Sequence, residues 1–175
     1  FTAPDVICLG DPATFSFTGS AAPASSYSWN FGTAGTQTGA GPHTVTWNSP
    51  GTYTATLSVS TPEGCADTYS QDVGVSNVNV TATTSQAFVN PGTNVQLNAA
   101  ATSALNGALT YTWTASSGSL SCDDCSDPLA TPVDDNTTYV ITVVDEYDCS
   151  ATANLAVGLI YQKVVTIPNA FSPNG

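Results

Sequence analysis

The chain has 175 residues, with 13 Asp and Glu against a single Lys, Lys163, and its formal net charge is −12. Because the sequence has no basic patch to neutralise phosphates, nucleic acid is excluded as a partner and adsorption to anionic lipid is disfavoured. No uninterrupted apolar run approaches the ~18 residues of a membrane span, so no membrane insertion is expected.

Short alternating runs rich in Thr, Val, Tyr and Ala predict β-strands along the chain. In order they are ATFSFTG, YSWNFG, HTVTW, GTYTATLSVS, NVQLNA, LTYTWTA and TTYVITVVD, each bounded by Gly, Pro, Asn or Asp. Alternation of this kind with a turn signal about every ten residues is typical of an all-β sandwich or barrel. No segment has the apolar period of an amphipathic helix. The fold class predicted is therefore all-β.

The sequence also repeats itself. The matching landmarks are the Trp of YSW and YTW, the Tyr of PGTY and NTTY, and a late Cys: Trp29 and Trp113, Tyr53 and Tyr139, Cys65 and Cys149. Nearly constant offsets of 84, 86 and 84 positions indicate two copies of one fold. We predict tandem immunoglobulin-like β-sandwiches at residues 1–76 and 77–160, followed by an extended segment at 161–175.

The first copy resembles a polycystic kidney disease (PKD) domain of the bacterial extracellular type. The residues that carry the resemblance are CLGDPATFSFTG (8–19), YSWNFG (27–32) and HTVTWNSPGTYTATLSVSTPEGC (43–65). The resemblance implies a disulfide between Cys8 and Cys65. The two aspartates of the family's Trp-Asp-Phe-Gly-Asp-Gly string are replaced by Asn30 and Thr33, so any role they have elsewhere is lost here.

The second copy resembles the immunoglobulin/PKD-like modules of very long Bacteroidetes surface proteins, in which Ser-Cys-x-x-Cys-x-x-Pro and Thr-Thr-Tyr recur. The chain then ends in a string similar to the opening of the gliding-motility-type (type B) C-terminal domain: Ile167, Pro168, Asn169, Ala170, Phe171, Ser172, Pro173, Asn174 and Gly175. That domain is a sorting signal for the type IX secretion system. The resemblance therefore implies a secreted or cell-surface protein, with neighbouring domains of the same chain and the secretion machinery as partners.

The Cys122-Asp123-Asp124-Cys125 motif has three interpretations. A redox pair would need a helix N-terminus to stabilise the thiolate, and a zinc site would need a second pair of ligands. A local structural disulfide in the SGSLSCDDCSDP loop is favoured, which would leave Cys149 unpaired. A bridge from Cys149 to Cys122 or to Cys125 is the main competing arrangement. An oxidising compartment fits all of these pairings.

Acidic residues cluster in the second copy, and Asp123, Asp124 and Asp127 are the candidate ligands for calcium. Calcium takes about six to eight oxygen ligands, often from acidic loops of secreted modules. No EF-hand or nonapeptide spacing is present, and a charge cluster is more often a solvated face. Calcium is thus a candidate ligand, and no cofactor is required.

No catalytic motif is present, and His43 is the sole His. We therefore expect no enzyme but a structural and adhesion module, a stalk or fibre segment of a surface protein. One alternative is a carbohydrate-binding accessory module of a secreted polysaccharide-degrading enzyme, with exposed aromatics such as Phe88 in contact with glycan. Another is a filament subunit whose segment LIYQKVVTIPNAF (159–171) adds as a strand to a neighbour's sheet edge.

Overall fold

The structure, a computed structural model, describes residues 1–161. The all-β prediction is confirmed, since the only helical element in this range is a short 3₁₀ turn at Gly32–Ala34. None of the described residues forms a helix long and apolar enough to cross a membrane.

The first module is a β-sandwich of seven strands. They are β1 (Val6–Cys8), β2 (Ala13–Phe15), β3 (Ser26–Asn30), β4 (Thr36–Thr38), β5 (His43–Val45), β6 (Gly51–Ser60) and β7 (Ala66–Ser76). One sheet has the order β1-β7-β6-β3-β4, and β2 pairs with β5 in the facing layer. Strand β1 runs parallel to β7, so that Cys8 lies opposite Ser76.

The second module begins one residue after β7. Its strands are β8 (Val78–Thr84), β9 (Phe88–Val89), β10 (Val95–Ser103), β11 (Leu109–Ala115), β12 (Ser119–Leu120), β13 (Leu129–Thr131), β14 (Thr137–Asp145) and β15 (Ser150–Leu159). They form two four-stranded sheets with the orders β12-β13-β10-β8 and β11-β14-β15-β9.

The core of the first module is aromatic. Alternation along β3 turns Trp29 inward and its neighbours outward, and the indole is fully buried. Trp29 packs at 6.3 Å from Phe15 and at 5.8 Å from Phe31, measured between ring centroids. Trp47 is also buried, and its Nε1–H donates to the carbonyl oxygen of Phe31 at 3.1 Å. Four large rings therefore fill the space between the two layers.

The second module has a separate core with more aliphatic side chains. Its largest buried side chains are Leu97, Trp113, Tyr139, Ile141 and Val143. They come from β10, β11 and β14, whose alternation puts every second residue between the sheets.

The repeat extends to the hairpin loops. In the first module the amide of Thr61 donates to the carbonyl of Cys65 at 2.8 Å, and in the second the amide of Asp145 donates to the carbonyl of Cys149 at 2.9 Å. The fourth residue of each loop, Gly64 or Asp148, has a positive φ of 89° or 64°. Cys65 and Cys149 therefore occupy the same position in the two modules.

The disulfide implied between Cys8 and Cys65 is not formed. Cys8 is bonded to Cys149 instead, and Cys65 is exposed without a disulfide partner. Cys8 lies opposite Ser76 at the end of β7, whereas Cys65 immediately precedes the start of that strand. Ten residue steps of a strand span roughly 33 Å, and disulfide Cα atoms lie within ~7 Å of each other. The expected pairing fails because its two cysteines are at opposite ends of the module.

The same bond corrects the expectation that Cys149 is unpaired, and it removes the competing bridges from Cys149 to Cys122 or Cys125. Those two cysteines are bonded to each other, with their Cα atoms 5.9 Å apart.

Candidate functional site: the junction between the modules

A covalent bond ties the two modules together. The disulfide from Cys8, the last residue of β1, to Cys149 in the β14–β15 loop has a Cα–Cα distance of 5.4 Å and joins residues 141 positions apart. Cys149 is 3% exposed, so the bond lies inside the junction. The bond fixes one edge of the first module against a loop of the second.

A buried carboxylate forms the polar part of the junction. Oδ2 of Asp145 accepts hydrogen bonds from the hydroxyls of Ser76 at 2.6 Å and Ser103 at 2.8 Å. Oδ1 accepts from the backbone amides of Tyr147 and Cys149, each at 3.0 Å. Asp145 is 4% exposed and Ser76 is fully buried. The end of β14 in the second module thereby holds Ser76, the last residue of β7 in the first.

These contacts decide the charge state of Asp145. Burial alone would raise its pKa, because burial disfavours the charged form. The four hydrogen bonds outweigh burial and hold the pKa of Asp145 below its ordinary value. The carboxylate is therefore ionised and fully bonded at neutral pH.

An apolar contact completes the junction. A Cβ added at Gly74 in β7 would lie 2.8 Å from Cδ1 of Leu105 and 3.2 Å from Cγ2 of Val6. Leu105 belongs to the β10–β11 loop of the second module, and in the same loop the amide of Ala104 donates to the carbonyl of Asn77 at 2.9 Å. Glycine at position 74 is what lets the leucine approach the strand so closely.

The first module has an open groove at its other end. Its volume is about 410 Å³, and Phe1, Phe17, Leu57, Val59, Cys65 and Tyr69 are among the residues that line it. Tyr69 is 56% exposed. The unpaired Cys65 therefore lies in a mostly apolar depression, in contrast to the buried Cys149.

The calcium candidates Asp123, Asp124 and Asp127 lie in the loop between β12 and β13. In the part of the chain that the structure describes, no group of three or more His, Cys, Asp or Glu side chains is placed to hold a metal ion. The loop instead covers Trp113, whose Nε1–H donates to the carbonyl of Cys125 at 3.0 Å and whose amide donates to the carbonyl of Asp123 at 2.7 Å. Calcium binding stays a prediction, for which a thermal melt in millimolar calcium and in chelator is the test.

The remaining predicted residues are not brought together. His43 lies 5.5 Å from Trp29, measured between ring centroids, and its Nε2 is 3.1 Å from the carbonyl oxygen of Gly39, so this imidazole is engaged in local structure. Phe88 is 63% exposed at the far end of the second module. The secretion-signal string Ile167–Gly175 lies outside the described residues.

The fold defines the class of protein, which is one of tandem immunoglobulin-like (PKD-type) β-sandwich modules. Residues 1–76 match the family model of the PKD domain. Modules of this kind are commonly non-catalytic and serve structural or adhesive roles. None of the curated proteins compared matches the sequence significantly.

Several solved structures are similar to the chain. The fibronectin(III)-like modules of Clostridium thermocellum CbhA share 14% identity over 90% of each chain, with a TM-score of 0.39. The amphioxus IgVJ-C2 molecule shares 14% identity over 87% of this chain and 99% of its own, with a TM-score of 0.42. The insect immune protein hemolin shares 13% identity over 90% of this chain and 44% of its own, with a TM-score of 0.43.

Sequence reasoning missed the junction, although two signals for it were present. Cys65 and Cys149 recur at one offset, while Cys8 has no cysteine counterpart in the second copy, where Asn90-Pro91-Gly92 stands in its place. A repeated cysteine with a single mate is consistent with a bond between the modules as well as with one inside the first module, and the structure shows the bond between the modules.

Proposed function

We propose that the chain is a non-catalytic structural and adhesion segment, a stalk or fibre element, of a secreted or surface-anchored extracellular protein. The junction is the observation that carries the proposal. A spacer must pass orientation from one module to the next, and the Cys8–Cys149 bond together with the buried Asp145 does this. Disulfides persist in oxidising compartments, which supports an extracellular location.

Export by type IX secretion belongs to the same proposal. Its support is the sequence resemblance of Ile167–Gly175 to the opening of a sorting domain. In this scheme the partners are the neighbouring domains of the same long chain and the secretion machinery, and the host is a bacterium of the Bacteroidetes type.

The experiment is deletion of the natural protein from Ile167 onward in such a host. Surface display, measured by antibody labelling of intact cells, should be lost while the chain accumulates in the periplasm. A Cys65→Ser variant is the control and should be displayed normally, because Cys65 makes no bond in this chain. Undiminished display after the deletion would rule out this export route.

A second candidate, a carbohydrate-binding accessory module, is favoured by the exposed aromatic Phe88. Its ring lies over Gly158, where an added Cβ would be 2.7 Å from the ring. Tyr161 is 62% exposed, and its interaction with the carboxylate of Asp135 raises the pKa of the tyrosine. Exposed rings held in place are suited to stack on sugars, because they are large and rigid contact surfaces.

A glycan array tests this candidate. Binding that is lost in Phe88→Ala but kept in Tyr69→Ala, an exposed aromatic of the first module, would assign glycan recognition to the second module. Absence of glycan binding by the unaltered chain would remove the candidate. Self-assembly through residues 159–171 is a third hypothesis, and most of that segment lies outside the described residues.

A further inference from the structure

The groove of the first module lies where the second module has a strand. Strand β8 is hydrogen-bonded along β10, with Val78 opposite Ser103 and Val80 opposite Ala101. It also packs across β14 and β15. The first half of β8 therefore covers one end of the second core.

The two modules can be aligned residue by residue at this place. In β2 the buried residues are Ala13 and Phe15, and in β10 the corresponding buried residues are Val95 and Leu97. The next residue along each strand is Ser16 in the first module and Asn98 in the second, so these two are counterparts. Ser16 exchanges two backbone hydrogen bonds with Thr2, of 2.9 and 3.2 Å.

Asn98 pairs in the same way with Thr83, so Thr2 is the counterpart of Thr83. The positions that correspond to Val78 and Val80 fall four and two residues before Phe1.

The strand residues that line the groove of the first module correspond to residues of the second module that lie in the strands packed against β8. Val143 of β14 is buried in the second module, whereas its counterpart Val59 is half-buried. Cys65 is exposed in the groove wall, whereas its counterpart Cys149 is buried in the junction, where it is bonded to Cys8. Tyr69 is 56% exposed in the groove wall. The edge next to the groove is the stretch after β2, residues 17–22, which corresponds to the part of β10 that pairs with Val78 and Val80.

We infer that this groove is the acceptor site for one extended β-strand that runs antiparallel to residues 17–21 and continues into Phe1. The inward side chains of the strand are apolar and alternate with polar ones, as Val78 and Val80 do in the segment Asn77-Val78-Asn79-Val80-Thr81. The second module shows both the geometry of the filled site and the chemistry of its occupant. The inference does not depend on the export route or on an adhesive role.

The test adds Asn-Val-Asn-Val-Thr, a copy of residues 77–81, directly before Phe1 of the 175-residue chain. Cys65 lies in the groove and is exposed, so its alkylation by iodoacetamide reports whether the site is filled. We expect the alkylation rate to fall about tenfold or more, since a packed strand restricts reaction to local openings. Hydrogen exchange at residues 18–21 should slow in parallel.

The matched control is Val-Asn-Val-Asn-Thr, which has the same composition shifted by one residue. The shift turns both valines to the solvent face, and the alkylation rate of Cys65 should then equal that of the unextended chain. Equal protection by both extensions, or by neither, would overturn the inference. Sedimentation tests whether a second copy of the chain fills the groove instead. A concentration-dependent dimer of the unextended chain that disappears on extension would assign the groove to a strand of a second copy. That result would also overturn the inference.

Discussion

At the scale of single residues, Tyr53 and Tyr139 match in the sequence but occupy different positions in the two folded modules. Tyr53 donates its hydroxyl hydrogen to the carbonyl oxygen of Ser49 at 2.8 Å. Tyr139 lies two positions nearer the core tryptophan's partner than Tyr53 does, since Trp29 pairs with Leu57 and Trp113 pairs with Ile141. Tyr139 is fully buried, and its hydroxyl has no hydrogen-bond partner among residues 1–161. Burial raises the pKa of Tyr139, so the hydroxyl keeps its proton at neutral pH.

Replacing each of these tyrosines by Phe should therefore have opposite effects on the free energy of unfolding. Tyr53→Phe loses a hydrogen bond and should cost about 1 kcal/mol, whereas Tyr139→Phe removes a desolvated hydroxyl and should be neutral or stabilising by up to ~1 kcal/mol. Urea unfolding of the two variants and the parent measures this. A Tyr139→Phe variant less stable than Tyr53→Phe would contradict the prediction.

The cysteines show how far single residues can be interpreted from sequence. The local spacing of Cys122 and Cys125 is informative because four residues of loop bring the sulfurs together regardless of tertiary structure. Cys8 is different, since its partner depends on which end of β7 it lies beside and on how the next module is placed. The residues around Cys8 in the sequence determine neither of these two features. The pairing with Cys65 that the family resemblance implied was therefore wrong.

At the scale of elements, strands long enough to show alternation were predictable. LTYTWTA is β11 and GTYTATLSVS is β6, as the period-2 patterns indicated. Strands β9 and β12 have two residues each and carry no period, so no pattern could reveal them. The hairpin loops TPEGC and DEYDC were recognisable as repeats. The pattern did not show that the first residue of the second loop, Asp145, accepts hydrogen bonds from Ser76 and Ser103.

That residue, Asp145, makes the β14–β15 hairpin sensitive to acid. Because its folded pKa is depressed, the stabilisation is present above the unfolded value of about 4 and is lost as the pH falls through the folded value. Asp145→Asn should cost about 1–3 kcal/mol at pH 7, and the difference from the parent should shrink below pH ~4.

Urea unfolding of parent and variant over a series of pH values measures this loss. Asp11→Asn, at an exposed carboxylate of the first module, is the matched control and should show no comparable difference at pH 7. A difference between parent and Asp145→Asn that is constant from neutral pH to well below pH ~4 would show that the charge of Asp145 is not what stabilises the hairpin.

At the scale of the whole molecule, the repeat predicted two modules but not their connection. A repeat carries information about each copy, because both copies solve the same packing problem. Cys149 of the junction has a cysteine counterpart in Cys65, but two of its other residues differ between the copies: Asp145 stands where the first module has Thr61, and Cys8 stands where the second has Asn90. Asymmetry between copies is therefore where contacts between modules should be sought.

Loss of the Cys8–Cys149 bond should uncouple the modules without unfolding either, because each has its own core. We expect Cys8→Ser/Cys149→Ser, made in a Cys65→Ser background to prevent exchange, to lose up to ~5 kcal/mol of unfolding free energy, the loop-closure value for residues 141 positions apart. Calorimetry should resolve two transitions in place of one, and small-angle scattering should show a broader distribution of distances.

Cys122→Ser/Cys125→Ser in the same background is the control, since this bond spans only 3 positions within one loop and should leave the number of transitions unchanged. A single transition at an unaltered temperature in the Cys8/Cys149 variant would mean that Asp145, Leu105 and their partners hold the modules together without the disulfide.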